Sequence, residues 1–75
     1  SNTDSKTSLV TTVLNDLEGC RAFFEQMALQ TMRPDEIVIV DGGSKDGTWE
    51  YLQTFSCEHF AVKASQDKGC NVARG

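Results

Sequence analysis

The sequence predicts an α/β fold, a parallel sheet whose strands are joined by helical crossovers. Three observations carry this. Apolar segments of strand and helix period alternate as β-α-β-α-β-α. The loops between them are short, and no internal repeat interrupts the order. The run Ile37-Val38-Ile39-Val40 is β-branched with no polar alternation, as in strands covered on both faces of a parallel sheet.

The elements follow in chain order. Residues 1–7 are polar and patternless, so they are expected to be disordered or tag-derived, with order beginning near Ser8. Ser8 to Leu14 is rich in β-branched residues and reads as a strand buried on at least one face. Asp16 is placed to cap a helix in which Leu17, Cys20, Phe24, Met27, Ala28 and Thr31 share a face. That helix is expected to end near Thr31, because Arg33 precedes Pro34 and a pre-proline residue is pushed out of helical geometry.

The strand Ile37–Val40 leads into Asp41-Gly-Gly-Ser-Lys-Asp-Gly-Thr48, which opens a short helix with Thr48, Leu52 and Phe55 on one face beside Tyr51. Ser44 or Asp46 is expected to cap it. His59 to Ala64 reads as a third strand, followed by a turn over Ser65 to Gly69 and a helix starting at Cys70. Three strands with two complete helices leave a parallel sheet under-covered, so residues 8–75 are expected to be the first part of a larger domain.

At 75 residues the chain holds one small domain at most. Acidic residues outnumber Lys and Arg by 11 to 7, and the basic residues are scattered, which argues against a nucleic-acid binder. Apolar stretches run only a few residues, far short of the roughly 18 of a membrane span, and no signal-peptide pattern is present. The expected location is cytoplasmic, with membrane association left open for the full-length parent. Cys20, Cys57 and Cys70 are odd in number and lack Cys-x-x-Cys spacing, so they read as reduced structural thiols.

In an open parallel sheet, ligands bind beyond the carboxyl ends of the strands. Here those ends carry Thr12, Leu14 and Asn15, then Asp41 to Asp46, then Ser65 to Gly69. The dinucleotide fingerprint is absent. The phosphate-loop pattern fails because Gly42 to Gly47 is followed by Thr48 rather than Lys, and a calcium loop fails at Gly43 and Lys45. Asp41 reads either as a turn residue or as a ligand contact. Asp46 reads as a cap, Trp49 as a packing residue, and Lys68 and Arg74 equally as solvated helix-start charges or diphosphate contacts.

Ser8-Leu-Val-Thr-Thr-Val-Leu-Asn15, then Gln30-Thr31 and Pro34-Asp-Glu-Ile-Val-Ile-Val-Asp-Gly-Gly-Ser-Lys-Asp-Gly-Thr48, then Lys68-Gly-Cys-Asn-Val-Ala-Arg-Gly75 closely resemble the amino-terminal part of family-2 glycosyltransferases of the GT-A fold. The resemblance implies a partial Rossmann-like sheet, the amino-terminal, nucleotide-binding part of a GT-A nucleotide-diphospho-sugar transferase domain. It implies transfer of a sugar from a nucleotide-sugar donor, a UDP- or GDP-sugar, to an acceptor hydroxyl. By the same similarity, Thr12, Leu14, Asp41, Gly42, Gly43, Lys68 and Arg74 would contact the nucleotide. Many members carry a second Asp where this chain has Gly42, and an aromatic residue where it has Leu14, so base identity stays open. The family's metal-binding Asp-x-Asp and catalytic base come later in its sequence. This segment is therefore expected to hold no catalytic or metal residue and to be inactive alone, with Mg or Mn expected for the full-length member. Self-association of the fragment is also expected. The rival reading is a non-catalytic α/β binding or interaction module.

Overall fold

The computed structural model describes residues 6–69. Three strands, β1 (Ser8–Val13), β2 (Glu36–Asp41) and β3 (Ala61–Gln66), alternate with two helices, α1 (Leu17–Leu29) and α2 (Thr48–Thr54). The strands pair parallel in the order β1-β2-β3, as the β-α-β alternation predicts. The helix expected from Cys70 lies outside the described residues.

Register decides which side chains share a face. Leu9, Ile37 and Val62 align across the sheet, as do Thr11, Ile39 and Ala64, and then Val13, Asp41 and Gln66. This face carries the core: Val13, Ile37 and Ile39 pack with Cys20 and Phe24 of α1, Leu52 of α2, and Phe60. Both helices therefore cover the same side of the sheet. Phe24 is the hub, stacked on Phe55 with ring centroids 4.1 Å apart and flanked by Phe23, Tyr51 and Phe60.

The opposite face presents Ser8, Val10 and Thr12, then Glu36, Val38 and Val40, then Ala61, Lys63 and Ser65. No described element covers it. The unbroken apolar run of β2 suggests cover on both sides, but Ile37, Ile39 and Asp41 are buried while Val38 and Val40 are only half-buried. β1 departs further: Val13 alone is buried, and Val10 is 66% exposed. The strand lies at the sheet edge with one face open. Glu36 links the open face laterally, accepting from the Ser8 hydroxyl at 2.9 Å and pairing with Lys63 at 3.2 Å. Those contacts, the Ser8 bond first, hold its carboxyl below the ordinary value.

Element ends differ from expectation for identifiable reasons. α1 stops at Leu29 rather than Thr31, and Thr31 is exposed. Gln30 turns extended, and the Arg33 guanidinium folds back onto the carbonyls of Ala28 and Gln30, satisfying orphan acceptors at the helix end. β3 begins at Ala61 rather than His59 and continues through Ser65 and Gln66, which had the appearance of a turn. Pairing explains the shift, because Ala61 is the first residue to take up the ladder, donating its N–H to Asp35 O. Before the sheet, Thr7 donates its N–H to the Asp35 carboxylate at 2.9 Å.

Candidate functional site

The carboxyl ends of the three strands finish level, with Val13, Asp41 and Gln66 side by side. Two loops leave this edge, Leu14–Asp16 after β1 and Gly42–Gly47 after β2, and they are tied together. Asn15 adopts a left-handed backbone with φ 51°, a conformation that Asn tolerates better than most residues. This presents its amide to the Ser44 hydroxyl at 2.8 Å and its Oδ1 to the Lys45 N–H at 2.7 Å. Asp16 donates its N–H to Thr48 Oγ1, and Leu17 donates to Asp46 Oδ2.

The helix starts use these links. Asp16 caps α1 as expected, its carboxylate accepting from Gly19 N–H at 3.0 Å. At α2 the N-cap position is Gly47, at φ 100°, and Asp46 receives both the Thr48 N–H, at 3.0 Å, and the Thr48 hydroxyl. Those bonds, the hydroxyl's first, lower the Asp46 pKa. Ser44 does not cap the helix; its hydroxyl is engaged by Asn15.

Asp41 is fully buried. Its Oδ1 accepts the N–H groups of Gly43 and Ser44, each at 2.7 Å, and Gln66 Nε2 at 3.4 Å. Burial alone would raise its pKa, yet the hydrogen bonds from Ser44, Gly43 and Gln66 outweigh it and hold the carboxyl below its ordinary value. Oδ2 is buried with no hydrogen-bond partner among the described residues. The carboxylate is thus turned into its own loop and organises it.

Above this loop lies a groove of about 500 Å³ between the ends of β2 and β3, with Gly42, Gly43, Trp49, Gln66 and Lys68 among its walls. Gly43, at φ 110°, lets Lys68 close over it; a Cβ there would stand 3.3 Å from Lys68 Cγ. The sequence-predicted residues thus divide. Gly42, Gly43 and Lys68 meet in one groove, and Asp41 shapes its floor from beneath. Thr12 aligns with Val40, one position before Asp41, so its side chain leaves the sheet on the opposite face. Leu14 lies just past β1 and is 37% exposed. Arg74 lies outside the described residues. Asn15, Thr48 and Gln66 also build this edge; the sequence places Asn15 and the segment holding Gln66 at strand ends and Thr48 on a helix face, but assigns none of them a contact. An Asn immediately after a β-branched strand was a readable signal for the first, whereas the roles of Thr48 and Gln66 depend on register.

Other concavities among the described residues include one between α1 and α2 and two more. One of about 160 Å³ lies between β1 and α1 beside Cys20. A larger one, about 680 Å³, lies at the amino ends of the strands, where Arg33 Nη2 meets His59 Nδ1 at 3.0 Å. The larger lies at the opposite end of the sheet from Asp41, whereas the smaller reaches Val13 and Asp16 near the strand ends, on the α1 side of the sheet. The Cys20 thiol is pushed up to about 11 by burial, with the carboxylates of Asp16, Asp41 and Asp46 adding to the effect, so it stays protonated at neutral pH. Among the described residues no three His, Cys, Asp or Glu side chains converge on a metal-sized space. No described helix is long and apolar enough to cross a membrane.

The family model described as glycosyl transferase family 2 matches residues 8–74. A cholesterol galactosyltransferase of Borreliella burgdorferi (strain ATCC 35210 / DSM 4680 / CIP 102532 / B31) is 30% identical over 80 aligned positions, covering 93% of this chain. The chain spans 22% of that relative's length. No solved structure matches the chain significantly.

Proposed function

The chain belongs to glycosyl transferase family 2, and from that premise we propose that it forms the amino-terminal, donor-nucleotide half of an enzyme that transfers a sugar from a UDP- or GDP-sugar to an acceptor hydroxyl. The observation that carries this is the braced carboxyl edge of the sheet, where Gly42, Gly43 and Lys68 converge on one groove above the buried Asp41. Lys68 brings a flexible cation to that groove, suited to a diphosphate. Gly43 supplies close approach of backbone to ligand. Thr12 and Leu14 would be reached by a nucleoside lying across the edge onto the open face, and Arg74 completes the proposed contacts.

The residues described do not fit a divalent cation. The Mg or Mn that the resemblance implies would need ligands from the remainder of a longer protein, and no step is derived through it. For the same reason the isolated chain is proposed to be inactive, since it brings no described group to neutralise a departing nucleoside diphosphate beyond Lys68 and Lys45. A cytoplasmic setting agrees with the free thiols of Cys20 and Cys57.

The test is calorimetric titration of UDP and GDP into the full-length protein and its Lys68→Ala variant. Binding by the wild type that weakens roughly tenfold in the variant supports the reading. Absence of binding to any nucleoside diphosphate by a folded full-length protein refutes it and favours the non-catalytic module.

A further inference from the structure

The first four residues of the loop beneath the groove have no backbone donors to spare. The N–H groups of Gly42, Gly43, Ser44 and Lys45 are all turned inward, to Val13 O at 2.8 Å, to Asp41 Oδ1 at 2.7 Å twice, and to Asn15 Oδ1 at 2.7 Å. A glycine-rich loop at a strand end can cradle an anion only with free N–H groups, and the stretch Gly42 to Lys45, which follows β2 directly, has committed its own. Anionic groups of a ligand are therefore left to the lysines at the rim, and its neutral polar groups meet side chains.

Gln66 is the side chain placed for that. It is half-buried, lines the groove, and aligns with Asp41 on the same face of the sheet. Its contact with Asp41 settles its orientation. An ionised carboxylate accepts and cannot donate, so the Gln66 amide must turn its NH2 toward Asp41 Oδ1. The hydrogen bonds that lower the Asp41 pKa keep the carboxylate ionised across the physiological range. Oε1 is then directed away from Asp41, and it has no hydrogen-bond partner among the described residues.

We propose that Gln66 reads the nucleoside of the donor: Asp41, as a positioning residue, fixes the amide so that Oε1 faces the groove as an acceptor for an N–H or O–H of the bound nucleoside. The inference rests on the nucleotide reading above. A ring N–H of uracil or guanine supplies the donor this geometry calls for, and a ribose hydroxyl shares the same chemistry.

The experiment uses full-length protein, wild type and Gln66→Met, the latter close in length and flexibility but without the amide. Each is titrated with whichever of UDP or GDP binds, with the analogue in which the base ring N–H is replaced by C–H, and with the 2′-deoxy analogue. Circular dichroism checks folding. One of the two modifications is expected to weaken wild-type binding roughly threefold to tenfold, as for one neutral hydrogen bond, and that penalty is expected to vanish in Gln66→Met. Loss of the ring N–H penalty assigns the base, and loss of the deoxy penalty assigns the ribose. Equal affinity of Gln66→Met and wild type for the parent nucleotide, or penalties that persist unchanged in the variant, overturn the Gln66 role while leaving the nucleotide site standing. No binding of any nucleoside diphosphate by the wild type overturns both.

Discussion

Replacing Asp41 with Ala is expected to cost the 75-residue chain about 3–5 kcal/mol of stability. The carboxylate receives two N–H groups at 2.7 Å and is fully buried, and charge-assisted bonds of this kind contribute about 1.5–3 kcal/mol each. The total stability of a chain this size is about 4–11 kcal/mol at roughly 0.05–0.15 kcal/mol per residue, so the substitution removes a large share. Asp41→Asn keeps an acceptor for the loop and should cost less, about 1–2 kcal/mol, part of it from placing an NH2 group where Oδ2 now has no partner. Urea unfolding followed by circular dichroism reads both: the midpoint should fall in the order wild type, Asn, Ala, with an unchanged slope. The pH dependence has a definite sign. The folded-state pKa of Asp41 is depressed below its ordinary 3.8, so its contribution is present above that value and is lost as pH falls through the lower folded value. Asp41→Asn should lack that acid-side component. An Asp41→Ala chain within about 0.5 kcal/mol of wild type would refute the claim that this carboxylate holds the loop.

Phe24→Ala should cost about 3–5 kcal/mol and leave the chain at the edge of unfolding, because Phe24 is the hub of the aromatic cluster; a thermal melt decides it. Gly43→Val forces a β-branched residue to φ 110° and presses on Lys68, so a loss of about 1–3 kcal/mol is expected, seen as a lowered urea midpoint. In a Cys57→Ser, Cys70→Ser background, Cys20 should resist thiol reagents at neutral pH and react on unfolding, given its burial and raised pKa. Light scattering of the 75-residue chain should show concentration-dependent association, reduced by Val10→Lys on the open edge strand.

The strand-helix order, the parallel pairing and the Asp16 cap were legible because each depends on local pattern. Residues that act through register were not. Gln66 sits in a Ser-Gln-Asp-Lys-Gly stretch that looks like a turn, and only pairing with Asp41 extends β3 through it. Ser44 resembles a cap in sequence, yet the left-handed Asn15 claims its hydroxyl from another loop, 29 residues away. The β2 run suggested double cover because apolar composition does not reveal which face receives helices; both crossovers fall on one side. Among the site residues, Gly42, Gly43 and Lys68 converge as their positions at strand ends suggest. Sequence pattern alone does not separate the wall of the groove from Asp41 buried beneath it.

The most direct measurement is a crystal structure of the full-length protein with UDP or GDP bound. The account predicts the nucleotide at the carboxyl edge of the sheet, over Gly42 and Gly43 with Lys68 beside the diphosphate. A nucleotide seated instead in the cleft at the amino ends of the strands, against Arg33 and His59, would contradict it.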